Sequence, residues 1–300
     1  MPMRKRQEIQ KLPRTRTRIN IKSKFRSVRK PVGTPFFRTL LFIIKSINVN
    51  KSHSTIISIN GLKKNLNSGF SIDIPDFKIN NGEILGLVGN NGAGKTTMFR
   101  LMLDLLKADE GTITMTVSTD DSQPETQQQK ITISESEVWK QHIGAYIDEG
   151  FLIDFLTAEE YFDFLGKISE ISQDTVRLNL QSFDHFTNNE IFGKKKLIRN
   201  MSAGNKQKIG IMSAFFRHPD VVILDEPFNY LDPTGQNILK NIITEYAGQT
   251  GNTVIISSHN LSHTVDICSR IVLLEHGHII RDIPNNDVNA VIELKKYFET

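Results

Sequence analysis

The sequence has one cysteine, one tryptophan and no apolar run near the roughly 20 residues that a membrane-crossing helix needs. A single cysteine excludes a disulfide within the chain and suits a reducing compartment. Cys268 lies between Val265 and Val272 in an apolar pattern, which predicts a packing role. Without a long apolar run, the chain is not expected to cross a bilayer by itself. A large net charge is missing too: 37 Lys/Arg stand against 33 Asp/Glu, a formal +4. That near-balance hides an asymmetry. Residues 1–52 hold 15 Lys/Arg against one Glu, a balance of +14, whereas residues 53–300 hold 22 against 32, a balance of −10. The basic character belongs to the N-terminal stretch. The body is mildly acidic, which argues against a nucleic-acid-binding domain.

Residues 1–52 set basic runs such as Arg14, Arg16 and Arg18 among Pro13, Pro31 and Pro35. Such a stretch buries too little apolar surface to fold alone, so a disordered basic extension is expected. Three readings of it stay open: an arm for anionic lipid or RNA, a targeting segment, or an over-extended translation start.

From Thr55 the texture changes. Ile56, Ile57 and Ile59, then Phe70, Ile72 and Ile74, alternate like antiparallel strands around an Asn67-Ser68-Gly69 turn. Asn81-Gly82 predicts a second turn. Residues 111–117 predict another strand, paired with residues 131–133 across a polar insertion at 118–130. Residues 155–197 read as mostly helical, with Thr157 as an N-cap ahead of Glu159 and Glu160. Tyr161, Phe162, Leu165 and Ile168 then share one apolar face. Residues 221–224 and 253–256 are continuous apolar runs, as buried parallel strands require, with a helix over 235–246 between them. Residues 271–274 and 278–280 predict a closing pair around His276-Gly277.

The most informative stretch is residues 89–97. Gly89, Asn90, Asn91, Gly92, Ala93, Gly94, Lys95, Thr96 and Thr97 fill the pattern G-x-x-x-x-G-K-[ST]. Residues 83–88 ahead of it read as a buried strand, and residues 98–106 behind it have the apolar spacing of a helix. In that setting the loop's amides form a nest for phosphate oxygens. Lys95 adds a point charge for the β- and γ-phosphates, and the Thr96 hydroxyl is a Mg²⁺ ligand. A second element follows the strand at 221–224, which ends in Asp225-Glu226-Pro227. There Asp225 can hold Mg²⁺ through a water, and Glu226 can polarise an attacking water.

Residues 201–208 read Met-Ser-Ala-Gly-Asn-Lys-Gln-Lys. Together with the two elements above, they make the chain resemble an ABC-type ATP-binding cassette over residues 55–283, in particular the bacterial antibiotic and multidrug export type. The family's signature, usually Leu-Ser-Gly-Gly-Gln, reads Met-Ser-Ala-Gly-Asn here. The resemblance implies an α/β fold: a P-loop NTPase core with a mainly parallel sheet, an antiparallel β subdomain and an inserted α-helical subdomain. It implies an ATPase domain at 53–300 with the helical part at about 150–205, using ATP and Mg²⁺. Ser202, Ala203, Gly204 and Asn205 would contact ATP held by a second cassette, identical or not. Asp232 matches the family's D-loop aspartate, and His259 matches its switch histidine beside a catalytic Glu226. Asp148 stands where the family usually has Gln, as a further Mg²⁺ ligand. The aromatic that stacks on adenine is expected near Leu66, where the chain has none and Phe70 is the substitute. The resemblance also implies a polytopic membrane permease as partner, no nucleic acid, and a place on the cytoplasmic face of the membrane. The rival is a soluble cassette ATPase acting on a nucleic-acid, ribosomal or assembly partner; a degenerate, non-catalytic subunit is disfavoured by Lys95, Asp225, Glu226 and His259.

Overall fold

Continuous apolar strands need cover on both faces, and the architecture supplies it with two sheets and a set of helices. The computed structural model describes residues 54–66, 69–118 and 128–299. In chain order these form β1 (Ser54–Asn65), β2 (Ser71–Ile79), β3 (Ile84–Val88), α1 (Lys95–Met102), β4 (Glu110–Ser118), β5 (Gln128–Thr132) and β6 (Ile143–Tyr146). Then come α2 (Ala158–Ile168), α3 (Gln173–Gln181), α4 (Asp184–Thr187), α5 (Ala203–Phe215), β7 (Val221–Leu224) and α6 (Pro233–Thr250). The chain closes with β8 (Thr253–Ser258), α7 (Leu261–Val265), β9 (Arg270–Glu275), β10 (His278–Pro284) and α8 (Val288–Glu299). Among the described residues no helix is long and apolar enough to cross a membrane. The expected N-terminal extension, the Asn67-Ser68 part of the first turn and most of the polar insertion lie outside the described residues.

The larger sheet has the order β10-β9-β3-β8-β7-β6. Its pairs are parallel except for the closing β9–β10 hairpin. The smaller sheet, β2-β1-β4-β5, is antiparallel throughout. Successive side chains of a strand point to opposite faces, so each buried run serves two cores. Val221 and Ile223 join Leu85, Leu87 and Ile255 in the layer between the sheets, where Met98 and Phe99 of α1 also lie. Val222 and Leu224 face the other way and pack with Phe162 of α2, Ile209 and Met212 of α5 and Leu239 of α6. Cys268 sits in that second core, and burial pushes its thiol pKa up, so it packs as a small apolar group.

Local signals account for most helix starts. Thr157 and Glu160 form a reciprocal capping box at α2. Ser172 caps α3, accepting from the Thr175 N–H. Three expectations shift. The helix after the phosphate loop starts earlier and ends by Met102, because Asp104 takes a left-handed turn (φ 52) and the Leu105 and Leu106 N–H groups both turn back to the Arg100 carbonyl. Ile168 is 62% exposed rather than part of the buried face. It is the last residue of α2, just before the chain reverses through Glu170 (φ 56). The helix expected over 235–246 is longer, running from Pro233 at its first position to a left-handed Gly251.

One long-range contact braces the phosphate loop. At the β9–β10 turn the Gly277 N–H donates to the Ala93 carbonyl at 2.9 Å, while the Gly277 carbonyl accepts from Asp73 of β2 at 3.0 Å. A Cβ at this position would lie 1.8 Å from the Ser71 carbonyl oxygen, and the residue sits at φ +82. Only glycine fits. Replacing Gly277 with Ala is expected to cost about 2–5 kcal/mol from left-handed strain and overpacking combined, measured as a lower urea midpoint.

Candidate nucleotide site

Parallel strands deliver the residues that follow them to one edge of the sheet, where ligands of such sheets bind. The β3, β8 and β7 strands lie side by side with Ile84 opposite Val254 and Leu224 opposite Ile256. The loop after β3, the Asp225-Glu226 pair after β7 and His259 after β8 therefore converge. Residues some 130 positions apart meet there.

The phosphate loop ends in α1, which begins at Lys95 behind a left-handed Gly94 (φ 109) with no side-chain cap. The first N–H groups of this helix are left for an anion. Lys95 is buried, and its Nζ donates to the carbonyls of Gly89 (2.7 Å) and Asn90 (3.3 Å). It also lies 3.3 Å from Glu226 Oε1. Phe70 comes up beside the loop, so close that a Cβ on Gly94 would stand 2.9 Å from its ring.

Asp225 is the hub. The Thr96 hydroxyl donates to its Oδ2 at 2.5 Å, and the fully buried Ser257 hydroxyl donates to its Oδ1. Burial pushes the Asp225 carboxyl pKa up, and the hydrogen bonds from Ser257 and Thr96 pull it partly back. Ser257 also accepts the Glu226 N–H at 2.8 Å, so one hydroxyl orients both acidic residues. Glu226 holds a left-handed backbone (φ 45), and its second carboxylate oxygen lies 2.8 Å from His259 Nδ1. The carboxylate is thus held between a lysine and a histidine.

The other residues singled out from the sequence occupy different places. Ser202 caps α5, accepting the Asn205 N–H at 3.2 Å, and both Ser202 and Ala203 are exposed. Asp232 caps α6 through the Gly235 N–H. Gly204 packs against the Tyr230 carbonyl. Asp148 closes a short turn by accepting the Gly150 N–H at 2.8 Å, and Arg100 of α1 approaches it to 3.4 Å. A cavity of about 350 Å³ gathers Asp148, Glu149, Ala203, Lys206, Gln207, Asp225, Glu226 and Tyr230 on its walls. Asn205 instead lines a second cavity with Asn200 and Lys194 to Lys196.

Several partners escaped sequence reasoning. Ser257 did so although it stands two residues before His259; the Ser257-Ser258 hydroxyl pair ending an apolar strand was the available signal. Lys206, 3.0 Å from Glu149, and Gln207 gave no signal of their own inside the polar run Asn205-Lys206-Gln207-Lys208. Removing the Ser257 hydroxyl leaves a buried carboxylate oxygen and the Glu226 N–H each short of a partner. Ser257→Ala is expected to destabilise the fold by about 1–3 kcal/mol, read by denaturant unfolding.

Comparison with known proteins follows the same lines. A family model described as ABC transporter matches residues 72–229. An uncharacterized ABC transporter ATP-binding protein of Synechocystis sp. is 32% identical over 223 residues, which are 72% of this chain and 59% of that protein. The chain thus spans less than two thirds of that relative's length. The bacitracin transport ATP-binding protein BcrA of Bacillus licheniformis is 32% identical over 250 residues, covering 82% of this chain and 74% of that one. Among solved structures, a dimeric ATP-binding cassette in a post-hydrolysis state with ADP and Pi bound superposes with a TM-score of 0.61 at 22% identity, covering 76% of this chain and 98% of that one. That likeness is one of fold. With more than half its residues matched to one family and relatives at 32% identity along most of its length, the chain belongs to the ABC transporter ATP-binding proteins, a family of ATPases.

Proposed function

We propose that this chain is the ATP-hydrolysing subunit of an exporter, working as a dimer of cassettes beneath a separate polytopic permease on the cytoplasmic face of a membrane. The observation that carries the catalytic part is the Glu226 carboxylate, held between Lys95 at 3.3 Å and His259 at 2.8 Å beside the Thr96–Asp225 pair. ATP would lay its phosphates on the loop amides of residues 89–97, with Lys95 against the β/γ oxygens.

A hydroxyl and a carboxylate 2.5 Å apart are hard oxygen donors that suit Mg²⁺. Among the described residues no cluster of three or more His, Cys, Asp or Glu forms a metal cage, as fits an ion that takes most of its ligands from phosphate and water. Thr96 and Asp225 would hold it, and Asp148 lines the cavity that Asp225 also lines. When bound, the ion neutralises charge on the β- and γ-phosphates. Glu226 takes up or polarises the proton of the attacking water, and His259 keeps that carboxylate turned towards it.

Ser202, Ala203, Gly204 and Asn205 at the start of α5 are the proposed contacts to ATP bound by the second cassette, and Asp232 is the proposed D-loop residue. A helix start with exposed Ser202 and Ala203 suits an anion presented from outside the chain. Export is favoured by the 32% identity to a bacitracin transport protein and by the carboxylate of Asp148 where a glutamine is the common residue. The absence of a spanning helix among the described residues leaves the pathway to a partner.

Glu226→Gln is expected to lower ATP turnover by about 10²–10⁴-fold while leaving ATP bound, so that an ATP-dependent dimer persists in size-exclusion chromatography. Undiminished phosphate release would remove Glu226 from the mechanism. Affinity capture of the full chain from detergent-solubilised membranes should bring down a polytopic membrane protein; recovery in the soluble fraction alone counts against transport.

A further inference from the structure

The backbone of Glu226 is held in an unusual way. Its φ of 45 lies in the left-handed region, which a non-glycine residue keeps only when its surroundings hold it there. Its N–H is fixed by Ser257 at 2.8 Å, and its carbonyl accepts from the Asn229 N–H at 3.1 Å. A third bond comes from a different layer of the molecule: Nε2 of Gln207, on α5, donates to the same carbonyl at 3.2 Å.

Gln207 is itself oriented. It is 6% exposed, and its Oε1 accepts from the hydroxyl of the buried Tyr146 at 3.2 Å. The Glu226 carbonyl settles which end of the amide faces it: a carbonyl only accepts, so it calls for the NH₂ and leaves the amide oxygen for the Tyr146 hydroxyl to donate to. Tyr146 reaches this place because α5 carries Gly210 opposite its ring; a Cβ there would lie 2.0 Å from the ring carbon Cε2. Main-chain pairing secures the other end, with the Asp225 N–H donating to the Tyr146 carbonyl at 3.0 Å. Tyr146, Gln207 and the Asp225-Glu226 corner thus form a closed loop of contacts through the protein interior.

We propose that Gln207, oriented by Tyr146, is a positioning residue for hydrolysis: it holds the Glu226 backbone in the conformation that aims its carboxylate between Lys95 and His259. The proposal rests on the reading of Glu226 as the group that activates water. Both ends of the Gln207 amide are engaged by protein, the oxygen by Tyr146 and the NH₂ by the Glu226 carbonyl, so it would act through Glu226. The same helix is capped by Ser202, five residues earlier, so the amide ties the position of Glu226 to that of the helix end proposed to meet the second nucleotide. A buried glutamine that served packing alone would not need its amide at a strained corner of the active site.

The test uses the full chain and measures ATP turnover, ATP affinity by equilibrium binding, and thermal midpoint. Gln207→Leu keeps the volume and removes both hydrogen bonds. It is expected to lower kcat by about 10- to 100-fold, as for a misplaced reacting group, with ATP affinity close to wild type and only a modest fall in thermal midpoint from the unpaired Tyr146 hydroxyl. Tyr146→Phe keeps the ring against Gly210 and removes only the orienting hydroxyl; it is expected to lower kcat less, again at unchanged affinity. A wild-type kcat in Gln207→Leu overturns the proposal, and so does a loss of ATP affinity in step with kcat, which marks a general structural role. If Gln207→Leu does not fold, Tyr146→Phe decides alone, and wild-type kcat there overturns the proposal. Glu226→Gln separates the two levels. Should it hydrolyse ATP normally, the reading of Glu226 fails first; should it be inactive while Gln207→Leu turns over normally, only the positioning role fails.

Discussion

Asp225 carries one carboxylate into a nearly closed corner of the protein, and three separate strand ends are tied to it. Thr96 brings the phosphate loop, Ser257 brings the end of β8, and the residue's own backbone continues β7. Burying a carboxylate is costly unless its oxygens are hydrogen-bonded, and here each oxygen has a hydroxyl donor. The upward push on its pKa shows that the bonds do not fully offset the burial. A carboxyl in this condition is suited to a cation, which restores by charge what the hydroxyls leave uncompensated. The rest of the site inherits its geometry from this corner, because the Ser257 hydroxyl that serves Asp225 also fixes the N–H of Glu226.

The surrounding fold keeps this corner from relaxing. The loop of residues 89–97 spends its amides on the proposed phosphate nest, so it has few of its own to hold its shape. Its support comes from outside: Gly277 binds the Ala93 carbonyl from the β9–β10 turn, and the α1 apolar face is clamped between the two sheets. On the opposite face of the larger sheet, α5 and α2 press on β7 and β8 through Phe162, Ile209 and Met212. Ion pairs run from both sides to the short turn at 148–149, Arg100 to Asp148 and Lys206 to Glu149. These pairs are exposed, so each contributes little to stability. Their place is informative all the same: they join α1, behind the phosphate loop, to α5, which starts at the signature stretch.

Two residues named by family resemblance turn out to have a local structural duty as well. Ser202 and Asp232 each cap a helix with the side chain that the resemblance assigns to a nucleotide or interface role. A cap residue sits where helix N–H groups emerge, so stability and anion binding favour the same residue types at the same point. Substituting either would mix the two effects, whereas Gln207 and Ser257 sit apart from any helix end.

Elements with local signals were legible in the order of residues alone. The glycine-lysine-threonine spacing of the phosphate loop, the apolar runs of β7 and β8, the capping box at Thr157 and the turn at His276-Gly277 all depend on residues a few positions apart. Family resemblance extended that reading to Ser202 and His259, because motif order is also local information. Which distant residues meet depends on the folded arrangement. The Ser257 bridge, the Tyr146–Gln207–Glu226 path and the Gly277 brace each join residues between 19 and 206 positions apart, and their side chains carry no periodic mark. Ile168 lies exposed for the same reason, since helical spacing tells which residues share a face but not where the facing partner stops. The left-handed Glu226 is the sharpest case: no residue type at that position announces a positive φ, and only the hydrogen bonds converging from β8 and α5 hold it there.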